Sequence, residues 1–184
     1  MGQEGFRILF VCTANICRSP MAEAMARETL SPHGTRVIVE SAGVFGHEGS
    51  PIAPGSGAAL DALGVVHAGH RGRMLTHAIV DGSDLILTME VAHRNMIATQ
   101  QPAAAGRTFT LREFARLVAG EPAPAGTEFA DRARLLVTAA HLRRAQRPGI
   151  DDVPDPYGGP ADGYHVCATL IRSELDIALG PLGK

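Results

Sequence analysis

The 184-residue chain has no tryptophan, two tyrosines and six phenylalanines, so aromatic residues are 4% of the sequence. That scarcity excludes the stacking platforms on which single-stranded nucleic acids are held. Long apolar runs are missing too. Ile8–Val11 and Asp84–Met89 fall far short of the roughly 20 residues a membrane-spanning helix requires. No charged segment followed by a long apolar stretch opens the sequence, so no secretory signal and a cytoplasmic location are expected. Neither sign of charge dominates: 17 basic against 19 acidic residues leave a net charge of −2. Such a balance gives no general attraction to nucleic acid or to an anionic membrane. Arginine outnumbers lysine sixteen to one, which reflects composition bias more than a basic patch. Three cysteines cannot build a disulfide framework. Cys12 and Cys17, five positions apart, point instead to a metal site or to a reactive thiol. Zinc wants four ligands with tighter Cys-x-x-Cys spacing, so no metal is expected.

What is present is an ordinary globular composition, 45% hydrophobic and 20% charged, of a length that suits one domain. Arg7–Val11 has the continuous apolar character of a buried parallel strand. Ser19 and Pro20 resemble a helix start, a capping hydroxyl followed by proline, before the helix formers of Met21–Leu30. Further strands are expected over Arg36–Glu40, Asp84–Met89 and Arg107–Thr110. Helices are expected over Ile52–Leu63 (stopped at Gly64), Glu90–Gln101, Leu111–Ala119, Glu128–Gln146 and Asp162–Leu179. Strands alternating with helices predict an α/β fold: a four-stranded, parallel, doubly wound sheet between helical layers. Residues 120–126 form a turn-rich stretch, and 151–160 is too rich in proline and glycine for regular structure.

In a doubly wound sheet ligands bind at the carboxyl ends of strands near the switch point. Cys12-Thr-Ala-Asn-Ile-Cys-Arg-Ser19 occupies that place, between the first strand and the first helix. A helix N-terminus offers free amides and a partial positive charge, which suits an anion. Arg18 adds a guanidinium able to hold two phosphate oxygens at once. The same field favours a thiolate at Cys12, and a thiolate beside a bound phosphate is a nucleophile aimed at phosphorus. The leaving oxygen then needs a proton. Asp155, in the rigid Asp-Pro-Tyr-Gly-Gly-Pro loop, is the candidate acid, with Asp151 and Asp152 as rivals. A thiolate of this kind is open to peroxide, and Cys17 in the same loop is placed to trap the oxidised sulfur as a reversible disulfide.

Val11–Ala24 together with Asp155–Pro160 resembles the low-molecular-weight protein tyrosine phosphatase family, bacterial type. The likeness extends to Glu40–Gly43, Gly69–Arg73 and Asp84–Glu90. It implies the phosphotyrosine phosphatase I-like version of the flavodoxin-like three-layer fold. It also implies cofactor-free hydrolysis of aryl phosphates on phosphotyrosine-containing proteins. Under the resemblance Cys12 becomes the phosphocysteine, Arg18 clamps the equatorial oxygens, and Asp155 protonates the leaving phenolate. Thr13, Ala14, Asn15, Ile16, Cys17, Arg18 and Ser19 form the phosphate loop. Asn15 is held in a strained conformation by Ser19, Ser41 and His70, and Ser19 also bonds the thiolate.

The sequence departs from the family in several places. Ala14 stands where many relatives carry glycine. Phe45 or His47 must supply one wall of the ring slot, opposite Tyr157. Gly158 replaces a second tyrosine. Residues 120–150 are longer than the usual connection, an insertion expected to be a surface helical decoration on a single domain 1–184. Phosphoarginine phosphatases of this type carry threonine at the place of Ile16, so isoleucine favours an aryl substrate. Arsenate reductases of this fold need further mid-chain cysteines, and none lies between Cys17 and Cys167. A non-catalytic phosphate-binding or redox-sensing module would not need Cys12, Arg18 and Asp155 together.

Overall fold

A computed structural model of the chain describes residues 5–121, 128–146, 149 and 151–182. In chain order its main elements are β1 (Phe6–Cys12), α1 (Arg18–Leu30), β2 (Val37–Gly43), α2 (Pro54–Ala62), α3 (His77–Asp81) and β3 (Leu85–Thr88). They continue with α4 (Val91–Gln100), β4 (Thr108–Thr110), α5 (Leu111–Val118), α6 (Phe129–Arg143) and α7 (Ala161–Leu179). The expected turn-rich stretch 120–126 falls largely outside the described residues.

β1 is apolar from Ile8 onward because both of its faces are covered, with Arg7 alone half-buried near its start. Alternation of side chains sends Phe6, Ile8, Phe10 and Cys12 into one core, with Met21 and Met25 of α1 and Ile171 and Leu175 of α7. Leu9 and Val11 enter a second core with Val80 of α3 and Ile97 of α4. The four strands are parallel, in the order β2-β1-β3-β4. Cys12 pairs with Gly43 on one side, and Val11 with Thr88 on the other. Strand order reverses at β1, so its carboxyl end is the switch point, and Cys12 is its last residue.

Local chemistry explains most element ends. Gly64, at φ +70°, closes α2: its amide bonds the carbonyl of Asp61, and the Val65 amide bonds that of Leu60. That is the paired 5→2 and 6→1 arrangement that a left-handed glycine permits. Thr110 and Glu113 cap α5 reciprocally, side chain to backbone in both directions.

The start of α1 differs from the sequence expectation. Arg18 is the first helical residue, after Cys17 and without any side-chain cap. Ser19 does not cap the helix because its hydroxyl lies 3.0 Å from the Cys12 sulfur. β2 runs three residues beyond the expected end, carrying Ser41 into the site.

Helix α6 is not a surface decoration. Phe129, Ala133, Leu136, Val137 and Ala140 join the main core, and the Phe129 ring meets Phe6 of β1 edge-on with centroids 6.1 Å apart. The helical spacing noted in the sequence marks a face that covers the sheet. Truncating a buried phenylalanine costs about 3–5 kcal/mol, whereas a decorating side chain costs under about 0.5 kcal/mol. Phe129→Ala is therefore expected to lower the urea midpoint by an amount matching the larger figure. A change within the smaller one would return α6 to the surface.

Candidate active site

Between β1 and α1 the chain turns through residues 13–17. Asn15 adopts φ +57°, the only left-handed non-glycine residue among those described. Asparagine tolerates that region better than most residues, and here every polar group of Asn15 that points inward is bonded. Its Nδ2 donates to Ser19 Oγ at 2.9 Å and to Ser41 Oγ at 2.8 Å. Its Oδ1 accepts from the Arg73 amide at 2.9 Å, and its carbonyl accepts from His70 Nε2 at 2.8 Å. The strap that carries His70 and Arg73 runs close behind the loop. A Cβ placed on Gly72 would stand 2.4 Å from the His47 carbonyl oxygen, so only glycine fits.

Proton directions in this network follow from the donor inventory. The Ser41 hydroxyl donates to the Glu23 carboxylate, which can only accept when ionised. Ser41 Oγ therefore receives one Asn15 N–H, and Ser19 Oγ receives the other. The Ser19 hydroxyl hydrogen is left to point at Cys12 Sγ, 3.0 Å away. Glu23 follows Ser19 by one helical turn, a spacing that could have identified it in the sequence.

Arg18 is buried, with 1% of its surface exposed. Nη1 donates to the Glu90 carboxylate and to the Val153 carbonyl at 3.0 Å. Nη2 donates to Asp155 Oδ2 at 2.6 Å and to Thr13 Oγ1 at 3.3 Å. Nε, also buried, has no partner. A guanidinium carries five N–H groups, so four are occupied by the protein and one is not.

The loop 151–160 sorts its three aspartates. Asp151 pairs with Arg116, Asp152 accepts from the Val91 amide at the start of α4 (2.7 Å), and Asp155 alone of the three faces Cys12. The rivals to Asp155 are structural.

Cys12, Thr13, Ala14, Ile16, Cys17, Arg18, His47, Asp155 and Tyr157 line a cavity of about 220 Å³. Tyr157 is 65% exposed and stands as one wall, with His47 at the rim. Phe45, the alternative wall, does not line the cavity and lies exposed outside it; its own amide donates to the Thr13 carbonyl and that of His47 to the Ala14 carbonyl. Cys17 is buried beside Ile16 and Ala53. Burial pushes its thiol up to about 11, against the lowering effect of the Ser56 hydroxyl. The expected disulfide with Cys12 requires the Cys17 thiolate, which this burial disfavours. Cys167 is likewise pushed up, to about 12, by burial.

Glu90 and His93 were not singled out in the sequence, although Glu90 ends a segment at the carboxyl end of β3, where site residues gather. His93 Nε2 lies 3.0 Å from Thr13 Oγ1. Among the described residues no three His, Cys, Asp or Glu side chains converge as a metal site, and no helix is long and apolar enough to cross a membrane.

A cysteine ending the central strand, an arginine opening the next helix and a left-handed loop between them define a class of anion-binding cysteine sites. The sequence profile described as "Low molecular weight phosphotyrosine protein phosphatase" matches residues 7–125. A protein-arginine-phosphatase of Bacillus subtilis (strain 168) is 34% identical over 179 residues, covering 96% of this chain and 94% of that one. A low molecular weight protein-tyrosine-phosphatase of Streptomyces coelicolor is 32% identical over 175 residues, covering 91% and 88%. The crystal structure of the low molecular weight protein tyrosine phosphatase from T. tengcongensis superposes with a TM-score of 0.72 at 30% identity, covering 96% and 99%. The chain belongs to the low molecular weight phosphotyrosine protein phosphatase family.

His93 is 4% exposed, and burial lowers its pKa below the usual 6.5. Arg18 pushes the same way, while Glu90, Asp152 and Asp155 oppose in part. The unfolded chain then binds a proton that the folded one resists, so this contribution to stability is present above pH 6.5 and is lost as pH falls from there toward the depressed value. His93→Gln keeps a donor but cannot titrate. Urea unfolding between pH 7.5 and 5 is expected to show a shallower loss in the variant; parallel curves would place the acid-labile group elsewhere.

Proposed function

We propose that the chain hydrolyses phosphotyrosine on protein substrates through a phosphocysteine on Cys12. The observation that carries this reading is that Cys12, Arg18 and Asp155 line one cavity, with Nε of the buried Arg18 guanidinium left without a protein partner. In the first step the phosphoryl group displaces Asp155 from Arg18 Nη2. Once displaced, the Asp155 carboxylate takes up a proton from solvent; the Cys12 sulfur then attacks phosphorus, an S–P bond forms, the P–O bond breaks, and Asp155 gives that proton to the leaving phenolate oxygen. In the second, water attacks phosphorus as Asp155 takes its proton, and the S–P bond breaks to release inorganic phosphate. Ser19, held as a donor by Asn15, stabilises the sulfur each time it leaves with the electron pair.

The specificity for an aryl ester rests on Ile16 and Tyr157. Ile16 presents a branched hydrocarbon to the cavity, with no atom able to bond a guanidinium. Tyr157 offers a ring face. A second reading, phosphoarginine hydrolysis, is favoured by the relatives named protein-arginine-phosphatase. Arsenate reduction would pass electrons through further thiols, and both Cys17 and Cys167 are buried and held toward the protonated form.

Three substitutions test the chemistry. Cys12→Ser is expected to abolish turnover of p-nitrophenyl phosphate while vanadate still binds, and a tenth of normal turnover would move the nucleophile elsewhere. Arg18→Lys is expected to be nearly as severe, because a point charge does not replace the two-pronged fork. Asp155→Asn should cost about 10²–10⁴ in rate on poor leaving groups and much less on activated aryl phosphates. Equal losses along a leaving-group series would reduce Asp155 to shaping the loop.

The substrate class is tested with peptides bearing phosphotyrosine, phosphoserine or phosphoarginine, and with arsenate as a control. Phosphotyrosine is expected to lead, and Ile16→Thr to move the ratio of kcat/KM values toward phosphoarginine. Phosphoarginine preferred by the unmodified chain would establish the second reading.

A further inference from the structure

The hydrolytic scheme leaves one half-exposed hydroxyl and one buried imidazole unused. Thr13 Oγ1 lines the cavity beside Cys12 and Asp155. Two nitrogens converge on it from the protein side: Arg18 Nη2 at 3.3 Å and His93 Nε2 at 3.0 Å. His93 Nδ1 is buried with no partner.

The ring tautomer decides what the hydroxyl can do. If Nε2 accepted from Thr13, the proton of the neutral ring would sit on Nδ1, leaving a buried N–H without an acceptor. An orphaned buried N–H is rarer and costlier than an acceptor left short of a donor. The favoured ring carries its proton on Nε2 and donates it to Thr13. Both lone pairs of Thr13 Oγ1 are then filled, one by Arg18 and one by His93. Its own hydrogen must find an acceptor elsewhere, and among the described residues none is bonded to it. The cavity is what remains.

We infer that the Thr13 side-chain hydroxyl is a donor to a phosphoryl oxygen in the cavity, and that His93 is the positioning residue that aims it there. The inference rests on the reading that a phosphoryl group occupies the cavity. It adds to the backbone amides and Arg18 one neutral donor, on the wall of the site shared with Asp155. Burial keeps the ring neutral near pH 7 although Glu90, Asp152 and Asp155 pull toward the cation. A neutral ring donates without adding a second positive charge beside Arg18.

The test is a double-mutant cycle on Thr13 and His93, read by competitive inhibition with inorganic phosphate and by kcat and KM for p-nitrophenyl phosphate. A hydrogen bond to a charged group lost from the site corresponds to about 10- to 100-fold weaker binding. Thr13→Val, which keeps the shape and loses the hydroxyl, is expected to weaken phosphate by that range, and Thr13→Ser to restore it. His93→Leu is expected to weaken phosphate in the wild-type background and to do nothing further when combined with Thr13→Val. His93→Gln, which still carries an N–H able to reach Thr13, is expected to restore what His93→Leu loses, and His93→Met, which also lacks the N–H, takes the place of His93→Leu in the cycle if that variant does not fold. Phosphate inhibition within two-fold of wild type in Thr13→Val overturns the donor role. Additive losses from Thr13→Val and His93→Leu overturn the positioning role. Calorimetric titration with phosphate separates this from the hydrolytic reading: a chain that turns over nothing but binds phosphate through Thr13 loses the function and keeps the inference.

Discussion

The site depends on a single residue held with its backbone in the left-handed region. Asn15 at φ +57° bends the chain between β1 and α1 so that Cys12, Arg18 and the first amides of α1 surround one volume. Four hydrogen bonds hold it there, from α1, β2 and the strap at His70–Arg73. The partners come from three separate elements, so the loop is correct only when the sheet, the helix and the strap are all assembled. The glycines at 43 and 72 serve the same end. A Cβ at Gly43 would stand 2.6 Å from the Thr13 carbonyl oxygen, as one at Gly72 would crowd His47.

A second constraint is the fully buried guanidinium of Arg18. A buried charge is tolerated only when paired and hydrogen-bonded. Glu90 at the end of β3, the Val153 carbonyl and Asp155 supply that pairing from sequence distances of 72 to 137 residues. The 151–160 loop is fastened near its start, by the Val153 amide on the Met89 carbonyl and by Asp152 on the first amide of α4.

The alternation of strands and helices, the parallel sheet and the loop at its switch point were legible because each is written locally, in apolar runs and in one eight-residue segment. Departures arose where a distant partner outbid a local preference. Ser19 has the look of a cap, yet the Cys12 sulfur takes its hydroxyl. Leu136 and Phe129 have helical spacing, yet nothing in residues 120–150 says that the partner of that face is Phe6, more than a hundred positions earlier. Glu90 and His93 escaped because their partners, Arg18 and Thr13, are 72 and 80 residues away. The roles of Phe45 and His47 hinged on which of two neighbours turned inward, and that is set by the carbonyls of Thr13 and Ala14 on which the segment hangs.

The ion pair between Arg18 and Asp155 gives the site a competitor of its own. Any anion that enters must take the place of a carboxylate already bonded at 2.6 Å. A singly charged newcomer exchanges one negative charge for another and gains little, whereas a doubly charged one leaves the guanidinium better compensated than before. In the proposed mechanism the internal carboxylate is thus a competitor that a phosphomonoester dianion displaces with more gain than a singly charged anion would. On that reading, discrimination begins at entry to the site, before any bond is made or broken.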